Sequence, residues 1–129
     1  MVGEDLNALA KRALDAAFAV HTELGPGLLE STYIACLKYE LEKRGLEVRA
    51  EVPVPVVYDG HRLVDIGYPI DLLVEGELVI EVKALEAIAP VHQAQLLSYL
   101  KHSQRRLGLL LNFNVVHLKE GIWRRVNGL

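Results

Sequence analysis

Asp71-Leu72-Leu73-Val74-Glu75-Gly76-Glu77-Leu78-Val79-Ile80-Glu81-Val82-Lys83 decides how this chain folds: two apolar runs meet at an acidic turn, with charges at their outer ends. Val, Ile and Leu dominate both arms and Gly76 sits between two acids, the pattern of a β-hairpin with a short loop. With Glu75-Gly76-Glu77 as the loop, Val74 faces Leu78, Leu73 faces Val79, Leu72 faces Ile80, and Asp71 lies opposite Glu81, their Cβ atoms about 5 Å apart. Lys83 follows Glu81 by two residues, so the period of a strand sets it on the same face. A loop of Gly76-Glu77 alone would slip the register by one and carry Asp71 to the other face. Convergence of two carboxylates and an ammonium therefore requires an odd-length loop.

Like charges directly opposed on a sheet destabilise it, and the other face of the hairpin (Leu72, Val74, Leu78, Ile80, Val82) is wholly apolar and expected to be buried. Either a hard divalent cation held by oxygen ligands or Lys83 as an internal counter-ion must offset the pair.

Outward from the hairpin, 129 residues, 51% of them hydrophobic, suit one globular domain spanning residues 1–129. No run approaches the roughly 18 apolar residues of a membrane span, and Glu4 and Asp5 stand where a signal peptide would be basic, so no membrane role and a cytoplasmic location are expected. The one cysteine, Cys36, falls in a helical pattern and reads as a small core residue. A net charge of −3 argues against strong unaided binding to a polyanion. The charge is uneven: residues 1–100 carry −8 and residues 101–129 carry +5, which marks either a solvated face or a surface turned to phosphate.

Before the hairpin, Leu6, Leu9, Ala10, Ala13, Ala17, Val20 and Leu24 recur at helical spacing from about Glu4, and Gly25-Pro26 stops that helix. A second helix runs from after Gly27 to Arg44, with Leu29, Tyr33, Cys36, Leu37 and Leu41 inward. Glu30 sits in its first turn, where the helix dipole favours an acid; spacing alone asks nothing more of it. Val48, Ala50, Val52, Val54 and Val56 alternate with polar residues and prolines, predicting an edge strand over 46–58. Asp59-Gly60 turns into a short strand, His61–Gly67.

After Lys83, the segment Ala84–Ala89 reads as a loop and Pro90 opens a helix to about His102. On it His92, Gln95, Tyr99 and His102 form one polar stripe, while Val91, Ala94, Leu97 and Leu100 are expected to pack. His92 and His102 suit a solvated surface as readily as a phosphate contact. Leu107–Phe113 predicts a strand covered on both faces, and Val115–Leu118 with Ile122–Val126 a terminal hairpin turning at Glu120-Gly121. The order α-α-β-β-β-β-α-β predicts an α/β (or α+β) fold with a mixed central sheet flanked by helices.

An acid followed ten positions later by Glu-x-Lys, with the acids on adjacent strands, suits phosphodiester hydrolysis. Asp71…Glu81-Val82-Lys83 resembles the signature of the PD-(D/E)XK nuclease superfamily, whose restriction-endonuclease-like core also runs helix, three strands, helix, strand. The signature's proline is displaced by one, in Pro69-Ile70-Asp71. Gln95-Leu96-Leu97-Ser98-Tyr99 resembles the Gln-x-x-x-Tyr motif of the exonuclease-like branch, and Gly27-Leu28-Leu29-Glu30-Ser31-Thr32-Tyr33 resembles the motif that names the GxxExxY family. Val20-His21, Gly25-Pro26-Gly27, Pro90–Gln95 and Leu111-Asn112-Phe113-Asn114 extend the likeness over roughly residues 15–125.

The resemblance implies a Mg²⁺- or Mn²⁺-dependent nuclease: Asp71 and Glu81 as principal metal ligands, Glu30 approaching the metal from its helix, Lys83 catalytic, and Gln95 with Tyr99 orienting the site. Nucleic acid is the implied partner, DNA ahead of RNA, with a two-fold homodimer expected from the apolar strands. The competing reading, from another class, is a catalytically idle nucleic-acid-binding or protein-interaction module with the same fold.

Overall fold

A computed structural model describes residues 2–128. Along the chain it forms α1 (Val2–Leu24), α2 (Glu30–Lys43), β1 (Val48–Val52), β2 (Val56–Tyr58), β3 (His61–Val64), β4 (Ile70–Val74), β5 (Leu78–Lys83), α3 (Pro90–Ser103), β6 (Leu107–Asn112) and β7 (Ile122–Val126). Five strands make one mixed sheet in the order β1-β4-β5-β6-β7. Only β5 and β6 pair in parallel, and a parallel neighbour needs a crossover, which α3 supplies.

Each face of the sheet has its own core. Leu72, Val74, Leu78, Ile80, Val82, Leu107, Leu109 and Leu111 pack against α1 and α2, whereas Leu73, Val79 and Leu110 pack against Leu96 and Leu100 of α3. Strands covered on both sides must be apolar at successive positions, which is why β5 and β6 read as unbroken runs. Gly108 lets α3 come close: a Cβ there would lie 2.7 Å from Leu96 Cδ1 and 3.2 Å from Leu100 Cδ2.

The β4–β5 register is the expected one, with Leu72 opposite Ile80, Leu73 opposite Val79 and Val74 opposite Leu78. Its odd loop turns through positive φ at Glu75 (54°) and Gly76 (67°), and the Glu77 N–H donates to the Val74 carbonyl at 3.0 Å.

Several local expectations are corrected. The strand foreseen over 46–58 breaks at Pro53-Val54-Pro55 into β1, an edge of the main sheet, and β2, which pairs only with β3 in a separate two-stranded sheet. The two prolines offer no N–H to a ladder, so one strand cannot run through them. Leu29, foreseen as inward, is 74% exposed because it is the extended residue that precedes α2.

Helix α3 is turned from its expected orientation: Leu96, Tyr99 and Leu100 are buried, whereas Val91 and Ala94 are exposed. Its polar stripe therefore borders the sheet face that carries Asp71 and Glu81. At the C-terminus, Val115–Leu118 is not a strand. β7 pairs directly with β6, Leu111 opposite Ile122 through Leu107 opposite Val126, and a short 3₁₀ helix, Leu118–Gly121, closes the connection.

Candidate active site

The geometry of the site begins where the β4–β5 ladder gives way to side chains. The Val82 N–H donates to Asp71 Oδ2 at 2.8 Å, and the Asp71 N–H donates to Glu81 Oε1 at 3.2 Å. Each carboxylate thus takes a backbone donor from the other's strand. Glu81 is 3% exposed and Asp71 is half-buried.

Burial and the neighbouring Asp71 charge push the Glu81 carboxyl up to about 9. Asp71 is raised as well, chiefly by burial, while the Val82 N–H pulls the other way. Both carboxyls are thus held above their ordinary range, and Glu81, the more deeply buried of the two, is the one that most favours its protonated form.

Lys83 follows on the same strand face and favours the charged forms of Asp71, Glu81 and Glu30. Among the described residues, however, no salt bridge joins it to any of them. Backbone N–H groups and the shared proton, rather than a close ammonium, offset the carboxylate pair. Glu30 reaches the same field from the start of α2: burial raises its carboxyl, Lys83 opposes that rise, and Asp71 adds to it.

From α3, Gln95 is half-buried and Tyr99 is 6% exposed. The Tyr99 hydroxyl stays a neutral phenol, held above its usual range by burial first, then by Glu81 and Asp71. His92 is spent elsewhere, because its Nδ1 accepts the Ala89 N–H at 2.9 Å at the start of α3. His21 donates to the Val115 carbonyl through Nε2 at 2.7 Å.

The motif residues around these groups act on backbone. Tyr33 is fully buried, stacks on Phe113 with ring centroids 4.7 Å apart, donates to the Gly25 carbonyl at 2.6 Å and accepts the Leu28 N–H at 3.1 Å. It therefore fixes the loop from which Glu30 projects. Asn112 lies beside Lys83 in the β5–β6 register. Its Oδ1 accepts the Leu85 and Asn114 N–H groups and its Nδ2 donates to the Leu85 carbonyl, with three distances of 3.0–3.2 Å. The segment leaving Lys83 is thereby clamped.

Glu51 was not singled out by sequence. It lies on β1 between Ala50, opposite Leu72, and Val52, opposite Ile70, is exposed with φ at 52°, and its charge raises the Asp71 carboxyl further. Its alternation read as a solvent face, and only the β1–β4 pairing reveals its neighbour. The basic C-terminal residues do not converge here. Arg105 donates to the Gly76 carbonyl at the far turn of the hairpin, and Arg124 donates to Asn7.

The donor set is all oxygen, as a hard cation requires. Among the described residues no three acids, histidines or cysteines gather closely enough to enclose a metal ion. An ion that keeps most of its waters and uses one or two carboxylates, as Mg²⁺ does, fits that arrangement. Among the described residues no helix is long and apolar enough to cross a membrane.

A family model described as the PD-(D/E)XK nuclease superfamily matches residues 7–126. No curated protein and no solved structure matches the chain.

Proposed function

The chain belongs to the PD-(D/E)XK nuclease superfamily, and on that premise we propose that it is a divalent-metal-dependent nuclease whose site is built on Asp71, Glu81 and Lys83. The observation that carries this reading is the carboxylate pair across β4 and β5, Glu81 buried and Asp71 half-buried, stabilised by strand N–H groups and accompanied by a lysine that no salt bridge among the described residues consumes. Such an arrangement is costly for folding alone, since burying opposed acids raises both of them.

Asp71 and Glu81 would hold Mg²⁺ or Mn²⁺, with Glu30 approaching from α2, and the bound ion would neutralise the acids and polarise a phosphate oxygen. Lys83, a donor only, orients the attacking water and stabilises charge developing on the phosphate. Gln95 and the neutral Tyr99 hydroxyl orient groups above the carboxylates. DNA ahead of RNA is the proposed substrate. Gly27, Glu30 and Tyr33 support placement in the GxxExxY branch, because Tyr33 fixes the loop preceding Glu30. Exposed Val57, Leu63 and Ile66 around β2 and β3 support a homodimer.

Incubation of the protein with labelled single- and double-stranded DNA and RNA, with and without Mn²⁺, tests the reading. Cleavage that depends on the ion is expected. Binding without cleavage in every arm would instead favour an idle binding module.

A further inference from the structure

Beside the carboxylates, α3 and the segment after β3 enclose a cleft of about 290 Å³ whose walls include Val54, Tyr68, Gln95, Ser98, Tyr99 and His102. Two of those walls belong to the proposed site: Gln95, and Tyr99, whose hydroxyl feels the charges of Glu81 and Asp71. Tyr68 stands at the lip. It is 60% exposed, and its ring is tilted 47° from that of Tyr99 with centroids 6.0 Å apart.

The backbone holds Tyr68 in that place. The Gly67 N–H donates to the Val54 carbonyl at 2.9 Å, and a Cβ on Gly67 would lie 2.6 Å from Val56 Cγ2. A larger residue at position 67 would displace the Val56 side chain. An exposed aromatic ring fixed at the edge of a cleft is a stacking surface, and base stacking on such rings supports single-strand binding without regard to sequence. Amide and hydroxyl tips at Gln95 and Ser98 offer both donors and acceptors to a base edge.

Electrostatics point the same way. The protein carries −3 overall, and Arg105 and Arg124 are engaged away from the carboxylates. Lys83 is then the cation placed to meet a phosphate beside the carboxylates, and stacking supplies affinity that net charge does not. A duplex conceals the faces of its bases; a single strand presents them.

We propose that this cleft receives one unstacked nucleobase of a single-stranded or frayed nucleic acid, stacked on Tyr68, next to the phosphate that the carboxylate site acts on. The position of that phosphate rests on the nuclease reading; recognition of the base does not.

The test uses 2-aminopurine-labelled single strands of DNA and of RNA, and the matching duplexes, with Ca²⁺ in place of Mn²⁺. Single strands should bind more tightly than duplexes, with fluorescence quenched on binding. Tyr68→Phe should keep the quenching, and Tyr68→Ala should lose it and weaken binding about 10-fold. Circular dichroism should show Tyr68→Ala folded, since most of the side chain is solvated. The DNA and RNA arms show whether the 2′-hydroxyl matters. Equal affinity for duplex and single strand, or unchanged binding by Tyr68→Ala, overturns the proposal even if the protein cleaves nucleic acid. Stacking on Tyr68 without cleavage in Mn²⁺ upholds the cleft and overturns the nuclease reading.

Discussion

Asp71 and Glu81 exchange backbone donors across β4 and β5: Val82 N–H bonds to Asp71 Oδ2 and Asp71 N–H bonds to Glu81 Oε1. A buried and a half-buried acid are thereby kept side by side. Burial raises both acids, a penalty that a bound proton relieves and that a bound cation would relieve by displacing it.

The first prediction concerns pH. Glu81 is raised from 4.5 to about 9, so the folded state binds a proton that the unfolded state releases. The resulting stabilisation is fully present below about pH 4.5 and is lost as pH rises toward 9. Metal-free protein should lose stability across that window by up to about 1.4 kcal/mol per pH unit. Glu81→Gln, which mimics the protonated form, should flatten the profile. Denaturant melts of both proteins at intervals from pH 5 to about 9 check this; parallel profiles would place the proton elsewhere.

Metal addition should reverse the penalty. At an Mn²⁺ concentration about 100 times its Kd, the folded state should gain about 2.7 kcal/mol, with release of protons. Asp71→Asn should melt at a higher temperature than wild type in chelator, since one of two opposed acids is gone, yet show little response to Mn²⁺. Differential scanning calorimetry with and without the ion reads both effects. An Asp71→Asn protein that is less stable in chelator would identify the pair as a structural network.

A third prediction tests the clamp on the segment leaving Lys83. Asn112→Ala removes three hydrogen bonds and strands the Leu85 N–H and carbonyl. The loss should be about 3 kcal/mol, with faster amide exchange at Leu85 and Asn114. Exchange unchanged at those amides would show that the loop is held by other contacts.

Much of this was legible from the chain because the hairpin states its own register. Val74 through Leu78 can close around Glu75-Gly76-Glu77 in one way that buries Leu72, Ile80 and Val82 together, and the positions of Asp71 and Glu81 follow from parity. What escaped detection depended on partners distant in sequence. Glu51 is exposed, as its alternation suggested, and its influence on Asp71 shows only once β1 is seen beside β4. Val91 and Ala94 looked like core because periodicity cannot distinguish the two sides of a weakly amphipathic helix, and the space left by Gly108 selects Leu96 and Leu100 instead. The terminal hairpin failed because the open edge of β6 pairs with β7 better than Val115–Leu118 can.

The central claim, that Lys83 acts on chemistry beside a carboxylate-bound ion, is tested most directly by cleavage rates of wild type and Lys83→Ala at saturating Mn²⁺. The fold should survive, because Lys83 makes no salt bridge among the described residues. Titration calorimetry should show Mn²⁺ affinity unchanged or higher, since a positive neighbour of the cation is gone. Turnover should fall about 100-fold or more, the effect of losing one preorganised electrostatic group. Equal rates for the two proteins would contradict the account and leave Lys83 only a distant counter-ion to Asp71 and Glu81.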